Sequence, residues 1–406
     1  MQNDSDNNIC MLYIYMGPFP WYFDFFLKSC ENNGSIDFII FTDNDISQYA
    51  KIKNIIFYNT TLQEVNQLFS SKLSLDINLQ EAYKLCDFKP AFGYLLQDYI
   101  VKYDFWGVGD IDVIYGNIRE ILTDDILHNH DVFFVRDDYP TGFFQLYRNI
   151  YYINTLFKKS KDYKKVFAES EHYCFDECNF QFVRLINGIS IFDCPAKIES
   201  LMHIIKKEQV DNKLKILFSF LATEGIPGKL TYTKENLVYN KKYLTILYHL
   251  ISLKQSVFFK HPVWKSIPDT YIIGKYRFYK RSLADLIKYV FWEHIYYKLL
   301  LICRELRYNN LMLKPYYISE TKARPIEGLY HYSSDLIYEV IFKNNNLYLR
   351  PNSDYIFQLK SYYFGKNKML CTNLKSIIEI KWTPNGLILE QESINGIKIT
   401  LKKIID

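Results

Sequence analysis

Apolar and polar residues alternate in blocks along the first part of the chain, and these blocks predict strands and helices in turn. Residues 9–15 form a short apolar run, and two more runs follow at 36–41 and 55–58. Between the first two runs, residues 21–30 bring apolar side chains to one helical face. Strand, helix and strand at this spacing predict βαβ units, and hence an α/β fold with a mainly parallel sheet flanked by helices.

A longer periodic stretch leads into a strongly apolar strand. Apolar residues over 88–101 keep a period of about 3.6 residues and predict one helix, which Asp87 is placed to cap. Pro90 lies in the first turn of that helix, where its missing N–H costs little. The strand that follows, within 103–116, carries two aspartates at its end, and 131–136 predicts another strand.

The pattern changes twice in the second half of the chain. Residues 262–270 are rich in proline and turn residues, and 280–308 predict a helix in which charged residues interrupt the apolar ones. From about residue 335 onwards, short alternating strands are separated by Asn-rich turns. We therefore predict an α/β domain over 1–270, a helical segment over 271–325 and a small all-β module over 326–406.

The composition of the chain mainly excludes classes of protein. With 49% hydrophobic and 23% charged residues in 406, the chain has enough apolar surface to fold, and a net charge of +4 spread along it does not indicate a nucleic-acid binder. The eight cysteines form no paired framework, and the polar, acidic N-terminus is unlike a signal peptide. No uninterrupted apolar stretch is long enough to span a membrane. These features predict a cytoplasmic protein with reduced thiols.

Paired aspartates are the first candidate for chemistry. The pattern Asp-x-Asp occurs three times, at Asp4 and Asp6, at Asp43 and Asp45, and at Asp110 and Asp112. Only the last pair ends a strongly apolar segment and has glycines around it. Two carboxylates on a rigid strand end suit a hard divalent cation that is shared with a diphosphate, and such sites lie at the carboxyl ends of strands. The alternative is a strand-end turn with two exposed aspartates.

Two long motifs resemble a bacterial glycosyltransferase family of capsule and surface-polysaccharide clusters, long catalogued as a domain of unknown function. The motifs are 83–93 (YKLCDFKPAFG) and 103–116 (YDFWGVGDIDVIYG), with shorter matches at 17–23 (GPFPWYF), 41–43 (FTD), 146–149 (LYRN) and 175–177 (FDE). The resemblance covers about residues 9–265. It implies a GT-A glycosyltransferase fold, a nucleotide-sugar donor, most simply a UDP-sugar, and Mn²⁺ or Mg²⁺.

The same resemblance implies roles for individual residues on the donor side. Asp112 is expected to coordinate the metal, and Asp110 to contact the metal or the donor ribose. Thr42 and Asp43, after the second strand, are expected to hold the nucleobase and ribose. Asp87 and Lys89 lie on the predicted helix that leads into the strand with the paired aspartates. They are expected to face the donor sugar or its diphosphate.

Further expectations of the GT-A pattern concern the second half of the domain. A glycine-bearing loop is expected at 139–142, and an acidic pair entering a helix at Asp176 and Glu177. A histidine should return to the metal; His249 is our choice, with His203 and His261 as alternatives. An alternative zinc site that uses the cysteines near the acidic pair lacks the second ligand pair that a closed site needs.

The expected reaction follows from where charge develops. The cation neutralises the leaving diphosphate, and in an inverting reaction Asp176 or Glu177 accepts the proton of the acceptor hydroxyl. In a retaining reaction no such base is needed, and the sequence leaves both open. The expected acceptor is a saccharide or lipid-linked saccharide. Two other functions stay open: a sugar-phosphate transferase or nucleotidyltransferase, and a carbohydrate-binding protein without turnover.

A basic stretch near the predicted domain end bears on location. Lys275, Arg277, Lys280 and Arg281 precede the mixed helix at 283–303. A basic helix with aromatic and aliphatic side chains could rest on the inner face of an anionic membrane and meet a lipid-linked acceptor there. The alternative, which we favour, is a helix packed on the catalytic domain with a solvated outer face.

Overall fold

The computed structural model divides the chain into two compact units. Unit 1 comprises Met1–Leu250 and Val263–Ile273, and unit 2 comprises Ile251–Pro262 and Gly274–Asp406. The structure describes residues 7–49, 52–225, 227–256, 259–296, 298–299, 302–303, 306, 326–331, 337–343, 346–351, 357–364, 368–373, 376–383, 386–393 and 398–403. Asp4, Asp6 and residues 307–325 of the predicted helical segment lie outside these residues. The three predicted domain ranges stay a prediction.

Unit 1 contains the predicted α/β arrangement. Its strands are β1 (Ile9–Tyr15), β2 (Ile36–Thr42), β3 (Ile55–Asn59), β4 (Phe105–Gly109), β5 (Val113–Tyr115), β6 (Val132–Phe134), β7 (Phe144–Arg148), β8 (Ile216–Phe218), β9 (Ala222–Thr223), β10 (Leu230–Tyr232), β11 (Leu237–Tyr239), β12 (Tyr243–Leu244), β13 (Leu247–His249) and β14 (Tyr271–Ile273). Its helices are α1 (Phe23–Glu31), α2 (Leu62–Leu73), α3 (Phe92–Leu95), α4 (Gln97–Ile100), α5 (Ile118–Ile121), α6 (Asp124–Asn129), α7 (Tyr151–Asn154), α8 (Tyr163–Ala168), α9 (Phe182–Ile186) and α10 (Leu201–Val210), with 3-10 turns at Ala82–Ala91, Leu156–Lys159 and Ile191–Asp193.

A seven-stranded sheet in the order β3-β2-β1-β4-β7-β6-β8 forms the centre of unit 1. Only β7 runs antiparallel to its neighbours, so the predicted mixed, mainly parallel sheet is confirmed. The chain moves outward from β1 to β2 and β3, and β4 then pairs with the other side of β1. The carboxyl ends of β1 and β4 therefore flank the topological switch point, where open α/β sheets form a binding crevice.

The central sheet separates two hydrophobic cores, which explains the continuous apolar runs of its strands. In β1, Cys10 and Leu12 belong to one core, whereas Met11 and Tyr13 belong to the other. A strand that is buried on both faces needs apolar residues at every position. Two smaller sheets complete unit 1: β5-β13-β9, and an antiparallel set in which β10 pairs with β11 and β14 and β11 pairs with β12.

Two expectations about local structure were wrong. The helix predicted over 88–101 is a 3-10 turn followed by the short helices α3 and α4, and Asp87 lies inside the turn instead of capping a helix. Pro90 lies inside this 3-10 turn and has no backbone N–H to donate. The strand predicted within 103–116 is split: β4 belongs to the central sheet and β5 to a second sheet. The paired aspartates occupy the turn between them.

Unit 2 contains α11 (Ile251–Lys254), β15 (Phe278–Lys280), α12 (Leu283–Val290), a π-helical turn (Phe291–Tyr296) and eight further strands. These strands are β16 (Gly328–His331), β17 (Ile337–Lys343), β18 (Asn346–Pro351), β19 (Phe357–Phe364), β20 (Lys368–Asn373), β21 (Ser376–Thr383), β22 (Gly386–Ser393) and β23 (Lys398–Lys403). Each pairs antiparallel with the next, and β23 pairs with β16, so the sheet closes on itself. Among the described residues, no helix is both long and apolar enough to cross a membrane.

Candidate metal and donor site

The turn after β4 brings two carboxylates to the carboxyl edge of the central sheet. β4 ends at Gly109, and a Cβ atom there would lie 2.8 Å from the carbonyl oxygen of Phe143 in the chain leading into β7. Glycine therefore permits the close approach of these two segments. The chain then turns through Asp110 and Asp112 before β5 begins at Val113.

A histidine from a distant part of the chain completes this group. Backbone pairing of β13 with β5 sets His249 opposite Val113, and the N–H of Leu250 donates to the carbonyl oxygen of Asp112. One ligand atom from each of Asp110, Asp112 and His249 lies within 4.8 Å of the other two. His249 Nε2 is 3.4 Å from Asp112 Oδ2. The three residues predicted to hold a metal thus converge, with Asp112 and His249 buried and Asp110 partly open.

A second carboxylate orients the histidine. Glu224 Oε1 lies 3.0 Å from His249 Nδ1, which leaves Nε2 directed to Asp112. Arg136 holds Glu224 at 2.9 Å and is itself bound by Asp138. A carboxylate on the far ring nitrogen is the usual partner of a metal-binding histidine, because it fixes the ring and its tautomer. Burial disfavours the charged imidazole, but Asp112 and Glu224 outweigh burial and raise the pKa of His249 to about 9.

Sequence reasoning missed Glu224 and Arg136, and no motif marks either residue. Glu224 directly follows β9, whose Thr223 pairs with Tyr248 of β13, so the pairing of two very short strands places Glu224 beside His249. Such pairing leaves no readable signal in the local sequence.

Lys89 forms an ion pair with Asp110, the more exposed aspartate of the pair. Its Nζ is 2.5 Å from Asp110 Oδ1 and donates to the carbonyl oxygen of Gly142 at 2.7 Å. Burial disfavours the ammonium, yet the carboxylates of Asp110 and Asp176 raise the pKa of Lys89 above its usual value. A charged, buried lysine here compensates the negative charge of the aspartates and can also contact a phosphate.

The acidic pair at Asp176 and Glu177 lies beside the glycine loop. The N–H of Gly142 donates to Glu177 Oε1 at 2.5 Å, and a Cβ atom on Gly142 would lie 2.7 Å from Asp176 Oδ2. The expectation that the pair enters a helix was wrong, since it occupies a turn over 175–180 before α9 begins. Burial raises the pKa of both carboxyls, and that of Asp176 strongly. A carboxyl group with a raised pKa is a better proton acceptor when it is ionised.

The end of β2 forms another part of this edge. Thr42 is buried and Asp43 is exposed. Asp43 Oδ1 accepts from the N–H of Gly17, and the Asn44 amide donates to the Gly17 carbonyl and to Thr42 Oγ1. Gly17 has a φ of +89°, which glycine adopts easily. Because β1 separates β2 from β4, Asp43 and Asp110 follow strands roughly 10 Å apart at the same sheet edge.

Asp87 is the exception among the predicted site residues. Its side chain is fully buried and accepts hydrogen bonds from Lys84 Nζ and from the backbone N–H groups of Tyr173 and Phe175. His172 lies 3.2 Å away. The expectation that Asp87 faces a donor does not fit this position. Asp87 instead fixes the segment that leads to Asp176 and Glu177. Lys89, two residues later, does reach the aspartate pair.

Neither alternative histidine, His203 or His261, belongs to a group of potential metal ligands among the described residues. His203 lies in α10, where its Nδ1 contacts the backbone N–H of Ser200, and burial lowers its pKa. Among the described residues, only Asp110, Asp112 and His249 form a group of three or more potential metal ligands. That group does not include the histidine and cysteines of the alternative zinc site at 172–178.

Unit 1 is thus an α/β unit that carries an acidic cluster at the switch point of its central sheet. The model of a family of unknown function (DUF6625) matches residues 11–281, so the chain belongs to that family. No curated protein matches the sequence.

Similar solved structures include several transferases. The galactosyltransferase LgtC, in complex with donor and acceptor sugar analogues, is 12% identical over 53% of this chain and 75% of its own, with a TM-score of 0.29. Mouse xyloside xylosyltransferase 1 is 9% identical over 59% of this chain and 97% of its own, with a TM-score of 0.31. The glycosyltransferase GlyE of Streptococcus pneumoniae is 14% identical over 38% of each chain, with a TM-score of 0.25. Likeness this low carries no functional argument.

Proposed function

We propose that the protein is a metal-dependent glycosyltransferase of GT-A type. It would transfer a hexosyl group from a nucleotide-diphosphate sugar, most simply a UDP-sugar, to a saccharide or lipid-linked saccharide acceptor in capsule or surface-polysaccharide synthesis. The observation that carries this proposal is the convergence of Asp110, Asp112 and His249 at the switch point of the sheet. It joins ligands for a divalent cation to the edge where nucleotides bind in open α/β sheets.

The three side chains of this group fit a divalent cation. Two carboxylates suit Mg²⁺ or Mn²⁺, and the imidazole of His249 makes Mn²⁺ the better match of the two. Glu224 on His249 Nδ1 adds the orienting contact that such a ligand needs. When bound, the cation would neutralise the negative charge that builds up on the leaving diphosphate.

The other residues divide the remaining tasks. Thr42 and Asp43 hold the nucleoside side of the donor at the end of β2, and Lys89 contacts the diphosphate or the donor sugar beside Asp110. Asp176 or Glu177 receives the proton of the acceptor hydroxyl if configuration is inverted. Burial raises the pKa of both carboxyls, which makes each a stronger base in its ionised form. The missing side chain of Gly142 lets both carboxylates approach its backbone, because a Cβ atom there would lie 2.7 Å from Asp176 Oδ2.

The proposed location is the cytoplasm. The seven cysteines whose side chains the structure describes are free thiols, which suits a reducing compartment. Two of them, Cys174 and Cys178, flank the acidic pair, and burial raises the pKa of both thiols. Unreactive, protonated thiols at this position fit a packing role.

Donor hydrolysis tests the proposal against its two alternatives. Purified protein is incubated with Mn²⁺ and a panel of nucleotide sugars, and the released nucleotides are separated. A glycosyltransferase releases nucleoside diphosphate slowly even without an acceptor. Nucleoside monophosphate would instead indicate a sugar-phosphate transferase or nucleotidyltransferase. Release of neither, with retained sugar binding, would contradict turnover and indicate a carbohydrate-binding protein.

A further inference from the structure

We propose that helix α12 and the π-helical turn after it dock on the surface of an anionic membrane. The two elements are continuous, from Leu283–Val290 to Phe291–Tyr296, and both belong to unit 2. Each of the helices α1 to α11 buries at least one residue, whereas α12 buries none. This proposal does not depend on the proposed enzymatic function.

The exposed face of α12 is apolar. Leu283, Leu286, Ile287 and Val290 follow the spacing i, i+3, i+4 and i+7, which places them on one side of the helix. Leu283 is 77% exposed, Ile287 63% and Val290 53%. Aliphatic side chains exposed to this degree in a contiguous stripe are characteristic of a surface that something else covers.

A different side of the helix attaches it to unit 2. The ring of Tyr289 contacts Tyr279 of β15 edge-on, with centroids 5.2 Å apart. Glu293 is buried and accepts from the backbone N–H groups of Lys275 and Tyr276. These contacts fix the segment while the stripe stays open among the described residues.

The charge of the segment indicates what covers the stripe. Residues 280–298 contain four basic and two acidic side chains, Lys280, Arg281, Lys288 and Lys298 against Asp285 and Glu293. Because Glu293 is buried and hydrogen-bonded, the exposed surface has a clear excess of positive charge. An apolar stripe bordered by lysine and arginine is typical of helices that lie in the headgroup region of anionic lipids.

Aromatic residues follow the stripe directly, in the π-helical turn. Trp292 and Tyr296 contact each other with ring centroids 4.5 Å apart, and the Arg277 guanidinium lies 5.1 Å from the Trp292 ring centre. Tryptophan and tyrosine are favoured where an apolar and a hydrated layer meet. A second copy of this chain fits less well, because an isologous interface would bring two equally basic surfaces together.

Vesicle co-sedimentation of the full-length protein tests the proposal. We expect binding to vesicles of phosphatidylcholine mixed with phosphatidylglycerol, weaker binding to phosphatidylcholine alone, and a decrease with added salt. The double variant Ile287→Gln/Val290→Gln should reduce the bound fraction about tenfold or more, since two apolar anchors are lost. Arg281→Gln/Lys288→Gln should reduce binding to the anionic vesicles about tenfold and leave binding to neutral vesicles unchanged.

A matched control variant distinguishes binding through this surface from non-specific adsorption of exposed apolar residues to lipid. Val101 and Val263 are 82% and 95% exposed in unit 1, so Val101→Gln/Val263→Gln removes comparable apolar surface elsewhere and should bind vesicles like wild type. Donor hydrolysis should be unchanged in all three double variants. Vesicle binding that survives Ile287→Gln/Val290→Gln, or equal affinity for both vesicle types, would overturn the proposal. So would a dimer in solution that this variant dissociates, with no vesicle binding by wild type.

Discussion

Two Asp-x-Asp motifs follow parallel strands of the same sheet, yet their surroundings differ completely. Asp43 and Asp45 come after β2 and stay exposed; Asp45 accepts from the N–H of Ser47 within its own turn. Asp110 and Asp112 come after β4 and meet a histidine that arrives from about 140 residues further along the chain. The motif alone therefore does not define a metal site. A third potential ligand, His249 of β13, and the burial of Asp112 distinguish the second pair from the first.

The largest expected effect comes from changing Asp112, the buried member of the second pair. Asp112→Asn should reduce Mn²⁺-dependent donor hydrolysis by roughly 10²–10³-fold, because an uncharged amide is a poor ligand for a hard cation. Asp45→Asn, the matched change in the exposed motif, should alter the rate less than about twofold. Steady-state release of nucleoside diphosphate measures both. Equal losses in the two variants would contradict the distinction.

A second prediction concerns the residue behind the histidine. Glu224→Gln keeps the size of the side chain but weakens its hold on His249 Nδ1, so Mn²⁺ affinity should fall about 10- to 100-fold. Isothermal titration with Mn²⁺ measures the change directly. Glu171→Gln, which removes an exposed ion pair with Lys197, serves as control and should bind Mn²⁺ like wild type. Unchanged affinity in Glu224→Gln would remove Glu224 from the site.

The pH dependence of metal binding sharpens the same contrast. The proton on His249 competes with the cation, and the carboxylates of Asp112 and Glu224 raise the pKa of His249 to about 9 against the effect of burial. Mn²⁺ affinity should therefore rise about tenfold per pH unit between about pH 6.5 and 8.5. His249→Gln should flatten this slope. A slope that persists in the variant would assign the titration to another group.

The smallest expected effect lies at the exposed motif itself. Asp43→Asn should raise the KM for the nucleotide sugar roughly five- to tenfold, because one charged hydrogen-bond acceptor for the ribose is weakened. Its kcat and its Mn²⁺ affinity should stay near wild type. A variant that loses Mn²⁺ affinity would show that both motifs serve the cation.

The sequence predicted the parts of this site that depend on local pattern. The runs at 9–15 and 36–41 are strands, and Asp110 and Asp112 follow a buried strand because the glycines and apolar residues around them leave few other choices. His249, chosen on a family resemblance, lies beside Asp112, whereas the contact of Lys89 with Asp110 was not foreseen.

The parts that failed depend on long-range contacts. Asp87 has the local signature of a helix cap, but tertiary contacts with Lys84 and residues 172–175 bury it inside a 3-10 turn. Glu224 is placed by the pairing of two strands of two and three residues. Strands of two and three residues are too short to show an alternating pattern of apolar and polar residues. Their pairing across about 25 residues therefore cannot be predicted from the sequence.

Anomalous diffraction from a crystal soaked with Mn²⁺ and a nucleoside diphosphate would show whether the acidic cluster after β4 holds the cation. We expect one strong manganese peak within coordination distance of Asp112 and His249 Nε2, with the diphosphate beside it. A peak between Asp43 and Asp45, or no peak near Asp112 while the nucleotide is bound, would contradict it.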